Sequence, residues 1–168
     1  MATIRQAEGS ADIAEIRLLF EEYAQSLGID LSFQGFGEEL ASLPGAYSPP
    51  GGRLLLAADE ARAVGCVGVR PLADGICEMK RLYVRPDARG RGVARKLAEA
   101  AIAFGKAANY HAMRLDTLPT MTAAQELYRQ LGFREVEAYR YNPVHGTSFM
   151  QLDLDGSAGW RTTTRQLS

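Results

Sequence analysis

One segment constrains this chain more than any other: Leu82-Tyr83-Val84-Arg85-Pro86-Asp87-Ala88-Arg89-Gly90-Arg91-Gly92-Val93-Ala94-Arg95. Leu82 to Val84 reads as a strand stopped by Pro86, and the two glycines then open a long alanine-rich helix. A helix start holds backbone N–H groups with no partner inside the helix, and the macrodipole makes that end positive. Gly90 and Gly92 carry no side chain, so a phosphate can approach those N–H groups closely. Arg89 and Arg91 add positive charge. The fold must therefore contain a strand, a tight loop and a helix arranged around an anion site.

Three phosphate-binding patterns compete for that loop. A P-loop requires Gly-x-x-x-x-Gly-Lys-Ser/Thr, and neither Lys-Ser nor Lys-Thr follows these glycines. A dinucleotide fingerprint requires Gly-x-Gly-x-x-Gly, but Arg95 stands at the third glycine. The third pattern is Arg/Gln-x-x-Gly-x-Gly/Ala, and Arg89-Gly90-Arg91-Gly92-Val93-Ala94 matches it, with Val84 and Pro86 placed correctly upstream. The segment resembles the pyrophosphate-binding motif of the GNAT superfamily of N-acetyltransferases.

A second segment argues the same way. Ala124-Gln125-Glu126-Leu127-Tyr128-Arg129-Gln130-Leu131-Gly132-Phe133 reads as a short helix closed by Gly132 and followed by a strand. Its Ala-x-x-x-Tyr-x-x-x-Gly-Phe spacing is similar to the later acetyl-coenzyme A motif of the same family, in the same order. The resemblance covers roughly residues 2 to 154, strongly from Glu78 to Phe133. One departure stands out: where many members have an asparagine about seven residues before the tyrosine, this chain has Met121, with Thr120 and Thr122 as substitute contacts.

With 168 residues the chain is long enough for one well-buried core and too short for two ordinary domains. Residues 1–154 are read as a single domain and 155–168 as an appended tail. A net charge of −1 gives no general attraction to nucleic acid or to an acidic membrane, so the arginines at the glycine loop are a local device. Cys66 and Cys77 lack Cys-x-x-Cys spacing and read as buried thiols. No metal is expected, since no cluster of His, Cys, Asp and Glu has ligand spacing. Nothing at the N-terminus resembles a signal peptide and no apolar run approaches membrane-spanning length, so a cytoplasmic protein is expected.

Along the chain, Ala2 to Gln6 reads as a first strand. Ser10 is placed to cap a helix in which Ile13, Ile16, Leu19, Phe20, Tyr23 and Leu27 recur at helical spacing, closed by Gly28. A short helix from Gly37 to Leu43 interrupts an irregular stretch rich in proline and glycine. Arg53–Ala58 and Ala63–Arg70 form a hairpin around Asp59-Glu60, and Ile76–Val84 returns as a third antiparallel strand. After the helix that ends near Ala108 come a strand (His111–Thr117), a helix (Thr122–Leu131) and two strands (Phe133–Tyr139, Ser148–Leu154). Strands first, then alternating helix and strand, predict a mixed α/β sheet with helices on both faces. The resemblance implies the GNAT arrangement, a central, splayed, mostly antiparallel sheet.

The third strand of that set breaks its own pattern. Cys77 and Met79 alternate on one face, whereas the later apolar residues Leu82 and Val84 have the opposite parity. Strict period two cannot bury both pairs on one side. One extra residue near Lys80 or Arg81, a β-bulge, restores agreement; burial of both faces is the alternative.

What the resemblance implies for chemistry falls on few residues. Acetyl-coenzyme A is the expected co-substrate, bound by Leu82, Tyr83, Val84, Arg89, Gly90, Arg91, Gly92, Val93, Ala94 and Tyr128. Backbone N–H groups near Tyr83 or Val84 would polarise the acetyl carbonyl. An alkylamine with a pKa of ~10.4 must lose a proton before attacking a thioester, so a carboxylate base is useful. Glu78, on the face opposite Met79, is the candidate, with an ion pair to Lys80, Arg81 or a neighbouring strand as the alternative. Tyr128 is the candidate acid for the departing thiolate. Full transfer from a phenol of pKa ~10 to a thiolate of pKa ~8.5 is uphill by roughly 2 kcal/mol, so a hydrogen bond is the safer role.

Phe33, Phe36, Tyr47 and His145 are candidate acceptor contacts, with Tyr139 and Tyr141 as further aromatics, although aromatics also build cores. The function expected is an N-acetyltransferase that acts on a primary amine of a small molecule by direct attack in a ternary complex, with a homodimer admitted. A non-catalytic acyl-coenzyme A sensor on the same fold and a protein N-acetyltransferase are the alternatives. A hydrolase of acyl-coenzyme A has no support beyond the shared cofactor.

Overall fold

The computed structural model describes residues 1–155, so the expected tail lies, beyond Asp155, outside the described residues. The elements run β1 (Thr3–Gln6), α1 (Gly9–Leu27), α2 (Phe36–Ser42), β2 (Arg53–Asp59), β3 (Arg62–Ala73), β4 (Ile76–Val84), α3 (Val93–Ala107), β5 (Ala112–Thr117), α4 (Thr122–Gln130), β6 (Arg134–Val136) and β7 (Ser148–Asp153). The strands form one sheet in the order β1-β2-β3-β4-β5-β7-β6. Every neighbouring pair is antiparallel except β4 and β5. Among the described residues, no helix is long and apolar enough to cross a membrane.

Alternation along the strands sorts side chains into two cores. Val67, Val69, Cys77, Met79, Met113 and Leu115 pack with Val93, Leu97, Ala101 and Phe104 of α3 and with Tyr128 of α4. Leu54, Leu56, Cys66 and Tyr83 face the other way, against Ile16, Leu19 and Phe20 of α1. Both thiols are buried and free.

Some local expectations are corrected. The cap of α1 is not Ser10: the helix starts at Gly9, and Asp12 accepts the Glu8 N–H at 2.8 Å while Arg5 holds the same carboxylate. A carboxylate one turn inside the helix thus satisfies the N–H that a serine cap would have left to water. The strand expected over 133–139 shrinks to Arg134–Val136. It is an edge strand bonded only to β7, and beyond Val136 the chain turns back across the sheet, where Tyr139 and Arg140 find partners. At the other end of α4, Gly132 takes the left-handed conformation expected of it, with φ +101°.

Two irregularities in β4 shape everything that follows. First, β4 and β5 pair only over Ile76–Glu78 and Ala112–Arg114. Beyond that point β4 stays with β3 and β5 stays with β7, so the two parallel strands diverge and a wedge opens between them. Second, Cys66 pairs with Tyr83 and Gly68 with Lys80, so Val67 alone opposes Arg81 and Leu82. This is a β-bulge, and Arg81 pays the conformational cost with a positive φ of 61°. It lets Cys77, Met79, Leu82 and Val84 all reach the α3 side, as the parity argument required. It also turns the successive side chains of Lys80 and Arg81 to the α2 side together, where both bond Gln34.

Candidate active site

The wedge is a cleft of about 600 Å³. Leu82, Tyr83 and Val84 form one wall, Thr120 to Ala124 and Leu127 the other, and Arg89, Gly90, Gly92, Val93 and Ala94 close one end. The backbone of β4 contributes directly. Arg85 N donates to Val64 O at 2.8 Å, which makes residues 83 and 85 the ones bonded to β3. Leu82 and Val84, of the alternate parity, turn their N–H and C=O groups toward the cleft instead. The amide of Tyr83 is therefore turned to β3 and away from the cleft.

At the closed end, Gly92 caps α3 with φ +76° and no side chain bonds the helix start. The first hydrogen bond behind the cap runs from Lys96 N to Gly92 O at 3.1 Å, so the N–H groups of Val93, Ala94 and Arg95 have no acceptor behind them. Nothing lies within 4 Å of where a Cβ on Gly90 or Gly92 would sit. The glycines serve two ends: they permit the left-handed backbone that aims these amides, and they leave the approach open. A pyrophosphate fits such a site. Arg89 fixes the loop, donating from Nε to Val84 O at 2.9 Å with its guanidinium over the Tyr83 ring. Arg91 does not reach the cleft; its side chain is exposed and pairs with Asp59 at 3.8 Å.

At the other end the cleft leads into an inner pocket that shares Tyr23, Leu27, Leu82 and Met121 with it. Lys80, Arg81, Asp116, Gln34, Phe33, Asn142 and Tyr128 are among the other residues that line the inner pocket. Tyr128 is 5 % exposed, and among the described residues no group accepts a hydrogen bond from its hydroxyl. Burial, with Tyr23 and Asp116 nearby, pushes its pKa above the ordinary phenol value. Its hydroxyl is thus a donor held neutral on a residue that lines the inner pocket.

Glu78 lies elsewhere than expected. It is fully buried and lines neither the cleft nor the inner pocket. Oε1 accepts from Arg70 Nε at 3.1 Å, and Oε2 accepts from Tyr139 Oη and Arg140 Nη2, both at 2.7 Å. Burial alone would raise its pKa, but Lys80, Arg140, Arg70 and the Tyr139 hydroxyl outweigh that and hold it below the usual range. A carboxylate with its lone pairs occupied and its basicity lowered is poorly suited to collect a proton from an amine. The geometry makes it a structural hub for the segment 139–142.

The acceptor candidates divide likewise. Phe33 lines the inner pocket. Phe36 lies under the Arg81 guanidinium, 5.1 Å from ring to charge, and does not reach it. Tyr47 is a core residue: it meets Phe20 edge-on and donates to Glu39 Oε2 at 3.0 Å. A Cβ on Gly68 would come within 2.6 Å of its ring. His145 is exposed on the loop between β6 and β7 and lines neither space. Thr120, Met121 and Thr122 all line the cleft, where the asparagine of other members would stand.

Asp116, Gln34 and Asn142 were not singled out from the sequence as site residues, and Lys80 entered only as a bulge position and an ion-pair partner for Glu78. A signal was available in β5, where Met113 and Leu115 alternate with Arg114 and Asp116. Two charges alternating with buried apolar residues on a central strand, Arg114 in register with Glu78 and Asp116 beyond the paired stretch, mark an interior polar site.

Residues 16–133 match the model of the acetyltransferase (GNAT) family. The chain belongs to that family. An uncharacterized N-acetyltransferase of Schizosaccharomyces pombe is 41% identical over 145 residues, covering 85% of this chain and 89% of the relative. Human N-acetylaspartate synthetase is 35% identical over 91 residues, 54% of this chain and 30% of that protein. Among solved structures, a putative acetyltransferase of Salmonella typhimurium, determined with acetyl-CoA, superposes with a TM-score of 0.67 at 22% identity, covering 94% of this chain and 96% of that one. The bulged β4, the splay and the open glycine loop are thus the local devices with which this chain builds the GNAT fold.

Proposed function

We propose that this chain is an N-acetyltransferase that moves the acetyl group of acetyl-coenzyme A to a primary amine of a small molecule, by direct attack with both substrates bound. One observation carries the reading: a continuous path from the unpartnered amides at the start of α3, along the backbone edge of Leu82 and Val84 that β5 leaves, to the unpartnered hydroxyl of Tyr128. The amides of Val93 to Arg95 would hold the pyrophosphate, and Thr120, Met121 and Thr122 would flank the arm opposite β4. The amides of Leu82 and Val84 are the groups on this edge that can polarise a carbonyl.

When bound, acetyl-coenzyme A supplies an acyl group activated as a thioester. The protonated amine first gives one proton to solvent; its nitrogen then bonds to the acetyl carbon as the carbon–sulfur bond breaks, and the second proton lost from nitrogen is balanced by the one that the sulfur takes up. Tyr128 stabilises the departing sulfur by a hydrogen bond, because burial has made its proton harder to release. A covalent acyl-enzyme on cysteine has no support: burial pushes the Cys66 thiol upward and the Cys77 thiol up to about 12, so neither is a ready nucleophile. A small acceptor suits an inner pocket roofed by Ile29, Leu31, Phe33 and Gln34. The name of the human relative, an N-acetylaspartate synthetase, agrees with an acceptor of that size.

Thiol release from acetyl-coenzyme A across a panel of small amines and basic peptides tests the reading, with calorimetric binding of coenzyme A alongside. Turnover with a small amine above peptide acceptors is expected. Saturable binding without turnover on any acceptor would replace the enzyme with a binding module.

A further inference from the structure

The acceptor end of the path is charged in a way that a plain amine does not require. Four cations, Arg70, Lys80, Arg81 and Arg140, are interlaced there with three carboxylates, Glu39, Glu78 and Asp116. Glu39 and Glu78 are saturated by arginines and tyrosines. Asp116 is different. Its side chain is 8 % exposed, it lines the inner pocket, and Oδ2 is buried with no hydrogen-bond partner. Its other oxygen is 3.8 Å from Lys80 Nζ. A buried carboxylate oxygen without a donor is costly, and on a residue that lines a ligand pocket it fits a donor that arrives with the ligand.

Beside it stands a seat for an anion. Lys80 Nζ, at 3.0 Å, and Arg81 Nη1, at 2.9 Å, both donate to the single amide oxygen Oε1 of Gln34. Two cations converging on one neutral oxygen would bind a carboxylate oxygen more strongly than an amide. The inner pocket leaves only about 30 Å³ free, about one water's room, so an acceptor must displace the Gln34 side chain to enter. Donor-hungry Asp116 and the cationic seat are neighbours. An amine and a carboxylate borne on one carbon present their charges with the complementary polarity at similarly short range.

We propose that the inner pocket takes an amino acid, whose amine docks on Asp116 Oδ2 and whose carboxylate replaces the Gln34 amide oxygen between Lys80 and Arg81. The proposal rests on the acetyltransferase reading above and specifies its acceptor. Asp116 holds the nitrogen in the same pocket that Tyr128 lines, and Asn142 lines it from the segment that Glu78 anchors. Lys80 sets the preference for an acid over a plain amine.

The test compares matched acceptors: alanine with ethylamine, phenylalanine with phenethylamine, tyrosine with tyramine and lysine with cadaverine, after a first screen of all common amino acids. Initial rates are measured by thiol release, and binding of each amino acid to the coenzyme A-saturated protein is measured by calorimetry. The wild-type chain should favour at least one amino acid over its decarboxylated partner by about tenfold or more in kcat/KM, as a lost charged contact in a buried site implies. Lys80→Met should erase that preference by raising KM for the amino acid, leaving coenzyme A affinity intact. Asp116→Asn, nearly isosteric, should lower kcat/KM on amino acids and plain amines alike by about a hundredfold and abolish calorimetric binding of the amino acid. Unchanged coenzyme A affinity verifies that each variant is folded.

Equal kcat/KM for acids and their decarboxylated partners would overturn the proposal while leaving the acetyltransferase reading standing. So would full amino-acid binding by Asp116→Asn. If no acceptor turned over, the enzyme reading would fall, and the calorimetric arm would still decide whether an amino acid occupies the pocket.

Discussion

Arg140 Nη2 and Glu78 Oε2 meet at 2.7 Å, joining the segment after β6 to the stretch of β4 that pairs with β5. Tyr139 reinforces the link from the adjacent position, at 2.7 Å to the same oxygen. Asn142, two residues beyond Arg140, lines the inner pocket. The contact therefore ties the position of a pocket-lining residue to a carboxylate that does not itself enter the pocket.

The first expectation concerns that carboxylate. Glu78→Gln removes a buried charge that two arginines face, and stripping one partner from a buried ion pair costs about 3–5 kcal/mol, less here because the amide oxygen still accepts. Chemical denaturation should show a loss of about 2 kcal/mol or more, and turnover should fall as the 139–142 segment loosens. The pH–rate profile should keep its shape. Loss of its acidic limb in Glu78→Gln would make Glu78 the base after all.

Gly92→Asp places a carboxylate at the open approach to the α3 amides, on a residue whose φ of +76° already disfavours a side chain. Coenzyme A affinity measured by calorimetry should fall by about a hundredfold or more, the scale of losing a charge-assisted anion contact and gaining a repulsion. Gly92→Ala separates the two effects, since it carries the backbone strain, about 1 kcal/mol, without the charge. Unchanged affinity in a folded Gly92→Asp chain would move the pyrophosphate elsewhere.

How much of this was legible in the sequence depends on the range of the determining interaction. The glycine loop, the αL closure at Gly132 and the bulge at Arg81 were all readable, because each is set by backbone geometry within a few residues or by side-chain parity along one strand. The partners of Glu78 were not. Arg140 and Tyr139 reach it over separations of 62 and 61 residues, and only because β6 ends early and the chain folds back. Tyr47 and Phe36 illustrate the same limit: aromatics in an irregular, proline-rich stretch read as acceptor contacts, yet burial against Phe20 and stacking under Arg81 place both in the scaffold. Asp116 was overlooked although the alternation in β5 marks it, since a charge on a central strand gains meaning only when its opposite strand is known to diverge.

Asp12 offers a check of the fold by pH. The Arg5 guanidinium, then the Glu8 N–H, lower its pKa to about 2 in the folded chain, below the ordinary value of 3.8. A depressed carboxylate contributes stability that is present above the unfolded pKa and is lost as pH falls through the folded one. Asp12→Asn should thus cost about 1 kcal/mol at neutral pH, the size of a helix-start contact on the surface. The Tm gap between the two chains should narrow from pH 5 downward and close only below about pH 2. A gap independent of pH would mean that the amide replaces the carboxylate fully at Glu8 N–H and that Arg5 contributes nothing.

Tyr128 separates catalysis from scaffold most cleanly, because its ring and its hydroxyl do different jobs. The ring packs edge-on against Phe133 at 5.7 Å and belongs to the α3-side core. The hydroxyl has no protein acceptor among the described residues, so its removal leaves no buried partner unsatisfied. Tyr128→Phe should therefore hold stability within about 0.5 kcal/mol, whereas losing a paired buried hydroxyl costs about 1 kcal/mol or more. Coenzyme A affinity should change little, since the pyrophosphate end is untouched. Turnover should fall about tenfold to a hundredfold, with KM for the acceptor nearly constant, the pattern of a contact made mainly as the sulfur departs. The loss should shrink with an acyl donor whose thiol has a lower pKa, because a more stable thiolate needs the hydroxyl less. A rate loss independent of the leaving thiol would confine Tyr128 to holding the cofactor in place.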